Sequence, residues 1–132
     1  MEDMLEIARR QGLRVAWRDL GRRNGEYHSS GLILLNPRKT ALVQRVTLAH
    51  ELGHAAHGHA WTDDPALHER QERIADQHAA GLLIHAYEYA LAEALVGPHA
   101  GALARELGVT RHIVEVWRLV QRGRTRGARR TA

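Results

Sequence analysis

The sequence predicts an α+β domain: an N-terminal helix, a small β-sheet, a pair of long helices, and a C-terminal helical bundle that includes a helix-turn-helix-like hairpin. Three observations carry this. Alternating apolar and polar residues are confined to the stretch before Pro37, the apolar repeat becomes helical from Ala41 onward, and glycines and prolines fall between those segments. At 132 residues the chain is sized for one compact domain, which buries roughly two thirds of its unfolded surface without disulfide or metal staples.

Residues 2–11 read as a short amphipathic helix, with Met4, Leu5, Ile7 and Ala8 on one side and Gly12 as its stop. In LRVAWRDL (13–20), Leu13, Val15 and Trp17 alternate with Arg14, Ala16 and Arg18, the pattern of a half-buried strand. GRRNG (21–25) is a turn, with Asn24-Gly25 its strongest signal. A second strand lies within 26–36 and ends in the apolar run GLILLN, closed by Pro37, which cannot donate to a ladder. From Ala41 to about His57 the residues Leu42, Val43, Val46, Leu48, Ala49, Leu52 and Ala56 form a broad apolar surface, with Thr40 as N-cap. A loop from Gly58 leads to Asp64-Pro65, which opens a second long helix reaching about His85. Residues 86–121 are helical in pieces broken near Gly97-Pro98 and at Gly108. The expected organisation is a single domain over 1–121 and a disordered Arg-rich tail over 122–132, with no room for a further domain.

There are 19 basic and 15 acidic residues, a formal +4, yet the last eleven residues hold five arginines (Arg122, Arg124, Arg126, Arg129, Arg130) and no acid. Without them the body has 14 basic and 15 acidic side chains and a net charge of −1, so the basic excess describes the tail and does not mark the domain as a nucleic-acid binder. Cysteine is absent, which excludes disulfides, thiolate metal sites and cysteine nucleophiles. The N-terminus lacks a signal-peptide core, and no apolar run reaches the roughly 18 residues of a membrane helix, so a cytoplasmic protein without membrane contact is expected.

The chemistry is concentrated in HELGH, His50-Glu51-Leu52-Gly53-His54. On a helix, residues four apart share a face, so His50 and His54 can reach one metal ion. Glu51 lies beside them, able to take a proton from a water held there without being a ligand itself, which is what a hydrolytic zinc site requires. The third ligand separates zinc-peptidase classes. A histidine six residues after His54 is excluded, because position 60 is Ala and position 57 is His where that class has Gly. A glutamate on the following helix fits: Glu72 and Asp76 in ERIAD are one turn apart, Glu72 as ligand and Asp76 as acceptor of the His50 ring N–H. Glu69, on a similar face, is the rival to Glu72.

HELGH followed by Glu72, Ala75, Ala79, Leu82 and Leu83, in the pattern E-x-x-A-x-x-x-A-x-x-L-L, resembles the ImmA/IrrE-type metallopeptidases over roughly residues 13–121. The resemblance implies Zn2+ held by His50, His54 and Glu72, with Glu51 as general base. It also implies a protein substrate, a DNA-binding transcriptional repressor of a phage or mobile element. Two positions depart from the family: His78 stands where an aromatic is usual, and His85 where a proline is common. His78 is therefore either a packing residue or one that faces the cleft. The strand residues Gly31, Leu32, Ile33 and Leu34 are candidates to pair with an extended substrate by strand addition. The competing reading is a non-catalytic zinc-containing regulator that acts by binding a repressor or DNA.

His57, His59 and His68 read as solvated loop histidines, and Trp17, Trp61 and Trp117 as core or cleft-wall residues. LARELGVTRHIVEVWRLV (103–120) has helix-turn-helix spacing, with Thr110 as cap and Arg111, His112, Glu115 and Arg118 exposed. The same segment also suits a helical hairpin closing a peptidase fold. In either case the Arg-rich tail offers weak, nonspecific contact to nucleic acid or another acidic partner.

Overall fold

The structure, a computed structural model, describes the backbone of residues 1–131 and the side chains of 1–127. Its order is α1 (Glu2–Arg10), β1 (Arg14–Trp17), β2 (Gly25–His28), β3 (Leu32–Leu35), α2 (Ala41–Ala56), α3 (Pro65–Leu83), α4 (Ala86–Val96), α5 (Ala100–Leu107) and α6 (Arg111–Thr131). The expected α+β class holds. No helix among the described residues is long and apolar enough to cross a membrane.

The sheet departs from expectation in its strand count and order. Residues 26–36 form two strands, and the order is β1-β3-β2, with β3 parallel to β1 and antiparallel to β2. The hairpin is therefore β2–β3, turned at Ser29-Ser30-Gly31, where Gly31 N–H donates to His28 O at 2.9 Å and Gly31 takes φ +94°. Asn24-Gly25 instead ends a loop into β2, and that loop is tied down by Asn36. Asn36 is fully buried, and its amide donates to the carbonyls of Gly21 and Arg23 at 2.9 Å each. With a partner on each side, β3 takes the most apolar sequence, LILL, in which Ile33 and Leu35 are completely buried. This overturns the substrate-strand assignment: Leu32, Ile33 and Leu34 have neighbours on both edges, and Gly31 is the hairpin turn. β1 and β2 are the two edge strands, and of these β2 lies beside α2.

Helix α2 packs against the sheet on one side and α3 on the other. Thr40 caps α2 through Val43 N–H, and Asp64 caps α3 through Ala66 and Leu67 N–H, as read from the sequence. The two helices touch almost backbone to backbone at Gly53: a Cβ there would lie 2.9 Å from both Cα and O of Ala75. Leu48, Leu52, Ile33 and Leu35 close the core beneath this contact. α3 stops at Leu83, because Ile84 turns extended and buried and its carbonyl accepts the Trp117 indole N–H at 3.1 Å.

Of the C-terminal helices, α6 packs on α3, while α5 packs on α6 and α4 on α5. α5 ends at Gly108 in the left-handed conformation, and Thr110 Oγ accepts from Ile113 N–H to open α6. Ile113, Val114 and Trp117 bury the inner face of α6, with Trp117 stacked on Tyr89 at 4.3 Å. The first turn of α6 lies against α3, so this hairpin closes the fold. The chain beyond 121, expected to be a disordered tail, continues α6 as far as Thr131, since arginine is a good helix former and the helix is already nucleated. Ala132 lies outside the described residues.

Candidate metal centre

Each side chain of the centre is placed by helical spacing and by the Gly53 contact. His50 and His54 project from the same face of α2, their rings edge to face at 4.7 Å. Glu72 reaches them from α3, one turn before Ala75, where the helices touch. Glu72 Oε2 lies 3.0 Å from His50 Nε2, Glu72 Oε1 lies 2.9 Å from His54 Nε2, and the two Nε2 atoms are 3.1 Å apart. Among the described residues these three form the one group of His, Asp and Glu able to hold a metal ion. Glu69, the rival for the third position, is exposed and outside the group.

The donor set suits a metal such as zinc. A tetrahedral ion with bonds of about 2.0–2.1 Å separates its ligand atoms by roughly 3.3 Å, close to the spacings found here. The outer ring nitrogens sharpen the fit. His50 Nδ1 lies 2.8 Å from Asp76 Oδ1, and a carboxylate only accepts, so Nδ1 carries the hydrogen and Nε2 turns a lone pair inward. Two imidazole nitrogens and a carboxylate then face one point, and electrostatics demands a cation there. Without a metal that cation is a proton. Burial alone would lower the His50 pKa, yet its hydrogen bonds to Asp76 and Glu72 hold it up at about 10. The same two histidines hold the Glu72 carboxyl well below the usual carboxylate range, against the effect of burial.

Glu51 is 7% exposed and sits between two cavities of about 580 and 520 Å³ that flank the His-His-Glu group. Burial pushes its carboxyl pKa up, although His50 and His54 pull the other way. The first cavity is walled by the 22–25 loop, by Val43, Val46 and Thr47 of α2, and by Thr110, His112 and Ile113 at the start of α6. The second runs beneath β2 and is closed by His59, Trp61 and His68. Trp61 is 88% exposed and stands on the rim of this cavity as a cleft wall, whereas Trp117 belongs to the core. Trp17 is also exposed, and its indole N–H donates to Gln44 Oε1 at 2.9 Å.

Among the predicted site residues, His50, Glu51, His54, Glu72 and Asp76 come together as the spacing requires. His78 does not line the cleft on either side. Its Cβ packs against Gly53 and its ring meets His57 edge to face at 5.5 Å, so it serves the α2–α3 contact. Two histidines were missed. His59 is no solvated loop residue: its Nδ1 lies 2.9 Å from His54 Nδ1, because Gly58 turns the chain back and His59 N–H caps the His54 carbonyl. A glycine just past the helix end followed by His is the signal that could have found it. His112 is exposed as expected, and its Nε2 also lies 2.8 Å from Asp76 Oδ2. No spacing rule links positions 36 residues apart.

A comparison with curated proteins finds no match to this chain. A comparison with protein families finds one that covers the sheet, α2, α3 and the start of α6. Residues 8–116 match the model of peptidase family M78, described as the IrrE N-terminal-like domain, and the chain belongs to that peptidase family.

Proposed function

We propose that this protein is a zinc-dependent endopeptidase. His50, His54 and Glu72 hold the zinc and Glu51 is the general base. The observation that carries the reading is the convergence of three ligand atoms beside a buried glutamate, at the junction of two open cavities. Bound zinc supplies Lewis acidity at neutral pH. Glu51 takes the proton of the attacking water and passes it to the leaving amine, and its burial favours the protonated form it must hold between the two transfers.

The outer edge strand β2 (Gly25–His28) lines the second cavity, starts at the first, and suits an extended substrate segment added antiparallel to it. Strand addition needs a flexible or unfolded stretch, so the target is a protein loop or linker. The resemblance to ImmA/IrrE-type enzymes supports a DNA-binding repressor of a phage or mobile element as that target, met in the cytoplasm. Residues 1–121 form the peptidase unit in this reading. The arginines of the α6 extension add nonspecific attraction to an acidic partner.

The test is Glu51→Gln. Zinc content should stay at the wild-type level while cleavage of a repressor encoded beside the protease falls by about 10²–10⁴-fold, the usual worth of a general base. If repressor inactivation instead survives Glu51→Gln at full strength, the protein acts by binding, as a non-catalytic regulator.

A further inference from the structure

Both carboxylate oxygens of Asp76 are engaged, by histidines from two different helices. Oδ1 accepts from His50 Nδ1 and Oδ2 from His112 Nε2, each at 2.8 Å. We propose that His112 is a positioning residue for the metal centre: by holding the second oxygen of Asp76 it fixes the carboxylate that orients His50, and so ties the first turn of α6 to metal affinity. The proposal rests on the reading that His50, His54 and Glu72 hold zinc.

The physical argument has three steps. An Asp carboxylate turns about a soft, roughly two-fold torsion, so one hydrogen bond leaves its plane loosely defined. A second donor from another helix removes that freedom, because turning the group would break both bonds. His112 can act this way because its own backbone is held. Val109 and Ile113 are buried on either side of it, Thr110 caps the turn, and α6 packs along α3. Next, a carboxylate only accepts, so His112 Nε2 carries the hydrogen and the bond is charge-assisted. Finally, the His112 side chain is 64% exposed, with Asp76 at 26%. A side chain this open contributes little to the core, so its removal creates no cavity. An effect of His112 on metal binding would therefore be separable from an effect on folding.

The experiment uses the full chain and reads zinc affinity by competition with a chromophoric chelator, together with the visible spectrum of the cobalt(II)-loaded protein. His112→Gln and His112→Met have similar length and differ in whether a donor can reach Asp76. His112→Met should bind zinc about tenfold more weakly and shift the cobalt bands, while His112→Gln stays within about twofold of wild type. In an Asp76→Ala background His112→Met should cost nothing further, since the link it breaks is already gone. The proposal is overturned if the Met variant binds like wild type, if Gln weakens binding as much as Met, or if the Met effect persists undiminished in Asp76→Ala. His54→Ala tests the underlying reading separately: if it binds zinc as tightly as wild type, the His-His-Glu site itself is wrong, and His112 falls with it.

Discussion

His50 and His54 are alike in sequence role and unlike in support. His50 leans on Asp76, an anion fixed on the rigid ligand helix and gripped a second time from α6. His54 leans on His59, a residue in the loop that follows its own helix, whose pKa is lowered by burial and by the nearby histidines. One ligand is thus oriented by tertiary structure and a charge, the other by local chain reversal and a dipole. A symmetrical-looking pair of histidines can divide its work: the His50 side links the candidate metal site to the packing of three helices, and the His54 side follows the loop that carries Trp61 at the cleft rim.

The largest effect should come from the contact that both sides share. In Gly53→Ala the new Cβ meets Ala75 backbone atoms at 2.9 Å, and backbone cannot step aside as a flexible side chain would. Alanine returns up to about 1 kcal/mol of helix propensity, against an overpacking cost of about 1–3 kcal/mol that a backbone clash places at the upper end. A net loss of about 2 kcal/mol is expected, with zinc affinity reduced as well because α3 carries Glu72 and Asp76 away from α2. Thermal unfolding and chelator competition check both. An unchanged Tm with unchanged affinity would mean that the helices have slack at Gly53 and that the metal geometry is set elsewhere.

Breaking the comparison itself needs a matched pair. Asp76→Ala should weaken zinc binding by about 10–100-fold, the range for loss of a carboxylate behind a ligating histidine. His59→Ala should cost only a few-fold, because water at the loop can replace a neutral partner on His54 Nδ1. Equal losses in the two variants would erase the asymmetry, and a larger loss for His59→Ala would reverse it.

What could be read from the sequence follows the same division. HELGH, Glu72 and Asp76 were legible because each pair lies one helical turn apart, and helix geometry converts that spacing into a shared face. The support on the His54 side was not, because His59 depends on where Gly58 bends the chain. The contact of His112 with Asp76 was hidden for a related reason: a helix-turn-helix spacing marks His112 as exposed and defines two packed helices, but not what they pack against. The sheet shows the same limit. Asn24-Gly25 is a strong local turn signal, yet the pairing was decided by burial of LILL between two neighbours, a tertiary demand that outweighs a dipeptide.

The smallest expected effect sharpens the contrast by lying outside it. Asp3 of α1 binds Arg45 near the start of α2 at 2.8 Å, five residues before His50. The Arg45 guanidinium holds the Asp3 carboxyl well below its ordinary value of 3.8, and burial opposes it only in part. A carboxyl whose pKa is lower folded than unfolded stabilises the fold above the unfolded value and loses that contribution as pH falls through 4 and below. Asp3 is 54% exposed, so solvent screening keeps the pair to about 0.5 kcal/mol. Metal-free Asp3→Asn should therefore melt slightly below metal-free wild type at pH 7, and the gap should shrink progressively as pH falls below 4. Zinc affinity at pH 7 should be the same in both proteins. A gap that did not shrink at all below pH 4 would show that Asp3 acts through packing or helix capping instead of charge. A drop in zinc affinity would show that the start of α2 is coupled to its metal face, and the supports of His50 and His54 would then no longer account for the centre by themselves.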